Sequence, residues 1–518
     1  MKKIEINRKF KEALTLLEST SKNVFITGKA GTGKSTLLDY FRSITKKTIV
    51  VLAPTGVAAL NVGGETIHSF FRFKPDITVD KVKKLRGRKA DIFKNLDAIV
   101  IDEVSMVRAD LLDCIDRFLR LNGKNKRRPF GGIQMVFIGD LYQLPPVVTG
   151  GEREIFRRHY ASPYFFSAEI FETFSMEFIE LEKIYRQKDE KFIRLLNAIR
   201  NNSLTDEDID TLNRRVNAGF GRKEADSYTV YLSSTNKVAA EINAGHLRKI
   251  EKPISFYTAR ISGTFTRQAY PTDTELSLSP GAQVMLLNND SGGRWVNGTL
   301  GRVIEIRKDK NREEPDEVLV QLAGGRTEKV LPFTWKIFHF TWDDLTQSIQ
   351  SEAAGSFTQY PLRLAWAITI HKSQGKTFDR VIIDVSGGVF ACGQIYVALS
   401  RCRSLNGVSL KKPIKKNHVF VDWKIVDFVT KYQYKISNRE IPFEEKIKII
   451  QGAIKAGAAL KITYLKSNDE KSERTINPLS VGKMNYADKS FIGIEAYCYL
   501  RKDKRVFRVD RILEIENV

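Results

Sequence analysis

Gly28-Lys29-Ala30-Gly31-Thr32-Gly33-Lys34-Ser35 spaces glycines, a lysine and a hydroxyl as needed to close a backbone loop around phosphate oxygens. Glycines let successive N–H groups converge on an anion at a helix N-terminus. Lys34 is expected to reach the β- and γ-phosphates of ATP and Ser35 to ligate Mg2+, with Gly28, Gly31, Thr32, Gly33 and Thr36 completing the nucleotide contacts. Asp102-Glu103 follows the apolar run Ile99-Val100-Ile101, at the strand end where a doubly wound sheet puts its ligand. There Asp102 would hold Mg2+ through water, and Glu103 would orient and deprotonate the attacking water. Gln143, within Gly139-Asp140-Leu141-Tyr142-Gln143-Leu144-Pro145-Pro146, is placed to sense a γ-phosphate.

These groups need a rigid α/β scaffold. Val24-Phe25-Ile26, Ile49 to Leu52, Ile99 to Ile101, Met135 to Ile138 and Phe178-Ile179 read as buried parallel strands, with helical stretches such as Leu37 to Ser43 and Ala109 to Leu121 between them. The pattern returns in Val230-Tyr231-Leu232, Leu364 to Ile370 and Val381-Ile382-Ile383. We therefore expect an α/β protein with a first nucleotide-binding domain over 1–180 and a second over 181–251 and 361–434. Residues 252–360 are Gly-rich and alternating, as in a small β insertion, and 435–518 turns β-rich again. A further insertion, about 72–92, carries Lys81, Lys83, Lys84, Arg86, Arg88 and Lys89.

The chain has 518 residues and a formal charge of +23, an excess that attracts polyanions. No apolar run is long enough to cross a bilayer, and Met1-Lys2-Lys3-Ile4-Glu5 opens no signal core, so no membrane partner is expected. Cys114, Cys392, Cys402 and Cys498 lack the spacing of a zinc site or a disulfide framework, which suits a reducing cytoplasm, nucleoid-associated in a prokaryote.

Read in order, the motifs resemble superfamily-one helicases of the 5′-to-3′ subclass, and within it the petite-integration-frequency (PIF) DNA helicases. The resemblance adds Ala53-Pro54-Thr55-Gly56-Val57-Ala58-Ala59, Gly64 to Phe71, Pro129 to Gln134, Tyr185-Arg186-Gln187, Arg294 to Gly298, Ile370 to Gly375 and Val397-Ala398-Leu399-Ser400-Arg401. It implies two RecA-like domains, with Arg186 and Arg401 as arginine fingers, Tyr185 stacking on adenine and Gly375 at the nucleotide. It implies single-stranded DNA contacts at Pro54, Thr55, Gly56, His68, Lys372, Ser373 and Gln374. Asn297, beside Trp295, would add a contact from a barrel resembling the Src-homology-three fold, and the basic insertion would be the duplex-splitting wedge. Such relatives carry a glutamine ahead of the phosphate loop to read adenine. Here none precedes Gln134, which leaves Asn7 or the backbone for that task and loosens the expectation of strict adenine preference.

Residues 446–518 resemble a WYL domain through Leu460 to Tyr464, Arg474 to Leu479 and Arg505 to Ile512, with the eponymous triplet replaced by Ile492-Gly493-Ile494. That resemblance implies nucleic-acid contacts at Arg505 and Arg508. The expected activity is a monomeric, ATP-driven 5′-to-3′ DNA helicase on single-stranded, tailed or forked DNA, with G-quadruplexes and RNA–DNA hybrids as further candidate partners. An ATPase switch or translocase that remodels protein–DNA complexes without unwinding is the alternative, and a ligand-sensing regulator built on the C-terminal module a third.

Overall fold

The computed structural model describes residues 5–518 except 75, 87–89, 149–155, 157, 220–227, 266, 310–313, 344–345, 347 and 487–488. The chain forms two compact units, one of Met1–Ile199 with Leu204–Val419, the other of Arg200–Ser203 with Phe420–Val518. No described helix is long and apolar enough to cross a membrane.

The larger unit opens with β1 (Val24–Gly28), β2 (Ile49–Ala53), β3 (Glu65–Thr66), β4 (Ala98–Ile101), β5 (Gln134–Ile138) and β6 (Glu177–Leu181). They form one parallel sheet in the order β3-β2-β4-β5-β1-β6. Every residue of β1, β4 and β5 is buried, because helices cover both faces. On one face the helix Arg8–Ser19, capped by Asn7, presents Phe10, Ala13 and Leu17, and Lys34–Ile44 presents Leu37, Leu38 and Phe41 to the same core. Each such leucine or phenylalanine contributes roughly 1.5–3 kcal/mol. On the other face Phe118, from the helix Ala109–Asn122, packs against Phe71, Phe73 and Phe93. The basic insertion is tied to that helix, since Leu85 N–H donates to Asn122 Oδ1 and Asn122 Nδ2 to Lys83 O. Lys81, Lys83, Lys84 and Arg86 are exposed, whereas Arg88 and Lys89 lie outside the described residues.

The rest of this unit contributes β7 (Thr229–Ser233), β8 (Ser255–Thr258), β9 (Arg260–Gly263), β10 (Glu275–Leu278), β11 (Gln283–Leu286), β12 (Leu300–Arg307) and β13 (Glu317–Leu322). It continues with β14 (Thr327–Val330), β15 (Phe333–Asp343), β16 (Ser348–Gln359), β17 (Leu362–Leu364), β18 (Ala367–Thr369), β19 (Arg380–Asp384) and β20 (Val408–Leu410). A second parallel sheet runs β18-β7-β19-β20. Between its strands sit an antiparallel sheet β14-β13-β12-β11-β17, a β15-β16-β9 sheet and a β10-β8 pair. The insertion core gathers Leu278, Val284, Leu286, Trp295, Val303 and Val320, with Trp295 Nε1 donating to Asn288 Oδ1 at 3.0 Å.

Leu364 to Ile370 is not one strand. Arg363 pairs with Met285 in the insertion sheet and Ile368 with Leu232 in the parallel sheet, so the chain changes sheets at Ala365–Trp366. The run from Leu364 to Ile370 is apolar across the junction, so it cannot show the change of partner.

In the smaller unit, helices Trp423–Glu440 and Phe443–Ala456 accompany β21 (Leu460–Leu465), β22 (Lys471–Tyr486), β23 (Lys489–Cys498), β24 (Asp503–Arg508) and β25 (Ile512–Asn517). The antiparallel order is β24-β23-β22-β21-β25, and Ile450, Ala453, Ile462, Ile476, Ile494 and Ile512 share its core. The expected break after Tyr434 falls inside the helix Trp423–Glu440. That helix belongs to this unit through Gln433, which donates to Asp469 Oδ1 at 3.0 Å, and Ser437, which donates to the Ile512 and Leu513 carbonyls. Arg200 enters the unit from the middle of the chain, buried and 3.5 Å from the Asp469 carboxylate.

Candidate active site and nucleic-acid interface

β1 delivers the phosphate loop to the carboxyl edge of the first sheet. Lys34 Nζ is folded back on the loop itself, donating to Gly28 O at 2.7 Å and Lys29 O at 3.1 Å. Burial lowers its pKa, which Asp140, Glu103 and Asp102 partly restore. Gly33 caps the helix Lys34–Ile44 in the left-handed region, and exposed Ser35 and Thr36 stand in its first turn. Thr32 is turned inward, its hydroxyl donating to Lys29 O at 2.9 Å. A side chain on Gly31, at φ +85°, would collide with Arg186, and Tyr185 N–H donates to Gly31 O at 2.9 Å. The Tyr185–Arg186 segment therefore lies directly on the loop.

Asp102, buried, and Glu103, half-buried, follow β4 as expected and lie within electrostatic reach of Lys34. Burial, and then the neighbouring Glu103, raises the Asp102 carboxyl. Burial raises Glu103 too, against Lys34 and Arg401. Glu103 adopts φ +50°, a left-handed conformation that costs a residue with a side chain about 1–2 kcal/mol. This carboxyl pair near Lys34 is a hard-oxygen donor set, the chemistry that suits Mg2+ held by one or two carboxylates together with phosphates.

Gln143 is buried, its Nε2 donating to Asp140 Oδ2 at 3.2 Å. Gly393, which precedes the wholly buried helix Gln394–Ser400, is pressed on that loop so closely that a Cβ would strike the Tyr142 and Gln143 carbonyl oxygens. Arg186 Nη1 donates to Ser400 O at 3.2 Å, and Gln187 Nε2 to Ser400 O and Cys402 O at 3.1 and 3.0 Å. Arg401 is 1 % exposed, and its donors are engaged within the chain. Its guanidinium donates to Val397 O at 2.9 Å, Ser400 Oγ at 2.8 Å, Ser373 O at 3.4 Å and Lys376 O at 3.5 Å. Burial, then Arg186, lowers it to about 9. Tyr185 is 43 % exposed, its ring under Lys183 and its hydroxyl accepting from Asn7 Nδ2 at 3.3 Å. Asn7 thus stands beside the residue expected at adenine.

On the strand side the structure sorts the expected contacts. Pro54 and Thr55 are partly exposed, with Thr55 Oγ1 accepting from Ala58 N as the cap of the helix Gly56–Asn61. Gly56 is covered, since a Cβ there would collide with Ala269. Ser373 is fully buried and its hydroxyl is spent on Ile370 O at 2.6 Å. Neither presents a group to a strand, because neighbouring backbone has taken both. His68 is half-buried, and burial followed by Arg108 lowers its pKa, keeping the imidazole neutral. Lys372 is exposed, Gln374 Nε2 stands 3.5 Å from Gln143 Oε1, and Gly375 follows with open space on its Cβ side. Asn297 joins Asn61 Oδ1 at 2.8 Å to Lys376 Nζ at 2.7 Å. Sequence reasoning passed over Arg363 and Lys376. Burial lowers both, and Arg363 also lowers Lys372 and Lys376, with the latter brought to about 8. Arg363 Nη2 donates to Pro271 O at 2.9 Å and Lys376 Nζ to Asn297 Oδ1 at 2.7 Å, both neutral acceptors. Lys376 was within reach of the motif, one residue past Gly375. Arg363 carried no local signal.

In the smaller unit Arg505 is exposed, 3.5 Å from Asp503, while Arg508 forms a two-pronged pair with Asp510 at 3.0 and 2.6 Å and lies over the Phe491 ring. Arg508 is therefore already neutralised by a carboxylate, unlike the free phosphate contact expected of it.

A phosphate loop on one parallel sheet, faced by arginines anchored on the backbone of a second, defines a two-domain P-loop ATPase. Residues 5–210 match the PIF1-like helicase family and residues 445–517 the WYL domain. The chain is 31% identical over 441 residues to the ATP-dependent DNA helicase Pif1 of Bdellovibrio bacteriovorus, covering 83% of this chain and 93% of that one. It is 34% identical to the human ATP-dependent DNA helicase PIF1 over 74% of this chain and 58% of the human protein. Pif1 from Bacteroides, 38% identical over 83% of this chain and 98% of its own, superposes with a TM-score of 0.75 in its ADP-AlF4 complex and 0.62 in its complex with ADP-AlF3 and single-stranded DNA. The chain belongs to the PIF1-like helicase family and carries a C-terminal WYL domain.

Proposed function

We propose that this chain is an ATP-dependent DNA helicase that moves 5′-to-3′ on single-stranded DNA. The observation that carries the reading is Arg401. One guanidinium lies in the electrostatic reach of Glu103 and Arg186 and also holds the Ser373 and Lys376 carbonyls of the loop expected at the strand. Hydrolysis and grip share a part.

ATP enters over the Gly31–Ser35 amides, drawing Lys34 off the Gly28 and Lys29 carbonyls onto phosphate. Ser35 and Asp102 would hold Mg2+, which would supply positive charge beside the phosphate oxygens. Glu103 takes a proton from the attacking water, and Arg186 and Arg401 stabilise charge moving onto the leaving group. Loss of γ-phosphate frees Gln143, and the second domain with its Lys372–Lys376 loop shifts relative to Pro54–Thr55. Alternating grip by these loops carries the strand without reading its sequence. Forked or tailed duplexes are the substrates this assigns, and the chain acts as a monomer.

Strand displacement on duplexes with a 5′ or a 3′ tail tests the reading. Opening only from the 5′ tail, only with hydrolysable ATP, supports it. DNA-stimulated hydrolysis without displacement would leave the non-unwinding translocase.

A further inference from the structure

The helix Gln394–Ser400 holds a residue that none of the assigned roles uses. Tyr396 is 3 % exposed, and its hydroxyl stands between two elements more than a hundred residues apart in the first domain. It accepts the backbone N–H of Ala30, inside the phosphate loop, at 2.9 Å. It stands 3.2 Å from Asp140 Oδ2 and, with its acceptor side engaged by Ala30, donates there. The same carboxylate receives Gln143 Nε2 at 3.2 Å and Tyr142 N–H at 3.2 Å. Gln143 Oε1 in turn faces Gln374 Nε2 at 3.5 Å, in the loop that Arg401 holds. The ordered line is Ala30, Tyr396, Asp140, Gln143, Gln374.

We propose that the Tyr396 hydroxyl is a positioning residue of the hydrolysis cycle, the junction through which the state of the phosphate loop reaches the γ-phosphate sensor Gln143 and the strand loop. The inference rests on the helicase reading above. A phenol suits the place because it donates and accepts at once, so it can satisfy a loop amide and a buried carboxylate together. Phenylalanine would fill the same volume and lose both bonds. The rest of the helix is fixed independently, by Gly393 against the Tyr142–Gln143 backbone and by Val397 to Ser400 in the core, so the ring's position does not depend on its hydroxyl. When phosphate closes the loop, any movement of the Ala30 amide pulls on a group that also orients Asp140. Among the described residues, the Gln143 side-chain amide donates to that carboxylate alone.

Such a line is a wire only if its members are coupled energetically. Tyr396→Phe and Asp140→Asn should be made singly and together. Two quantities are read in each: kcat and KM for single-strand-stimulated ATP hydrolysis, and the ratio of single-strand affinities with and without ADP-AlF4. Melting temperature controls for folding. For Tyr396→Phe we expect kcat to fall roughly tenfold or more, the worth of a hydrogen bond to a charged group, with KM within about threefold of wild type. The nucleotide-dependent affinity ratio should collapse toward one. The double variant should be no worse than about threefold below the poorer single variant, where independent effects would multiply. Wild-type kcat and affinity ratio in Tyr396→Phe would overturn the relay while leaving the helicase reading intact, as would multiplicative losses in the double variant. A wild-type chain that hydrolyses no ATP with DNA present would overturn both.

Discussion

Arg401→Ala should break two things at once, and the size of each can be worked from its contacts. As an arginine finger it should lose about 1000-fold or more in kcat. It also holds the strand loop by bonds of 3.4 and 3.5 Å to Ser373 O and Lys376 O, long enough to take at the low end, about 0.5–1 kcal/mol each. Together they put about 1–2 kcal/mol on loop order, or a roughly 5- to 30-fold loss of single-strand affinity without nucleotide. Arg186→Ala provides the contrast. Its Nη1 donates to Ser400 O, outside the strand loop, so it should lose hydrolysis with affinity within about twofold of wild type. Fluorescence anisotropy with a labelled oligonucleotide, alongside steady-state hydrolysis, reads both effects. Equal DNA affinity in the two variants would refute the shared-part argument and reduce Arg401 to its charge.

Lys34→Ala should abolish hydrolysis and unwinding yet bind single-stranded DNA normally, because its contacts lie wholly within the phosphate loop; an equal loss of DNA binding in anisotropy would deny that the sites are separate. Lys376 titrates near 8 through burial and Arg363, so its ammonium is present at pH 7 and largely gone by about pH 9. Since only the ammonium attracts phosphate, single-strand affinity should weaken across that range, and Lys376→Gln should flatten the profile. Deleting Phe420–Val518, rather than cutting inside the helix at Tyr434, should leave stimulated hydrolysis intact and lower low-salt DNA affinity, a difference that shrinks as salt rises. In the full chain Asp469→Ala should lower the melting temperature, because it leaves Arg200 buried without its carboxylate, a break worth about 3 kcal/mol.

The strands around the phosphate loop were legible because a strand buried on both faces must be apolar throughout, as Val24–Gly28 is. The loop, Asp102-Glu103 and the arginine motifs were legible because their chemistry demands fixed types at fixed spacing. What a side chain does with its second partner was not. Ser373 has the right identity for a strand contact, yet its hydroxyl belongs to Ile370 O, a choice set by the turn it sits in. Gly56 is hidden only because Ala269 of the insertion lands on it. Tyr396 carried no signal of its own, since its acceptor and donor partners lie in parts of the chain that sequence does not bring near it. Glu103's left-handed backbone, which aims the carboxyl, has no signature in residue type.

Asp469 follows Arg200 by 269 positions (469 − 200), and that interval has a meaning for synthesis. At roughly 5–20 residues per second a ribosome needs about 13–54 s to supply the carboxylate after the arginine. For that time the end of the helix Glu190–Arg200 carries a charge that cannot be buried alone and stays in water. The small unit is thus closed by a strand of chain made long before the rest of it. A nascent motor released or stalled before Asp469 would have its phosphate loop and both arginines in place while one helix end still waited, and it would present that unpaired segment to chaperones and proteases as the mark of an unfinished chain.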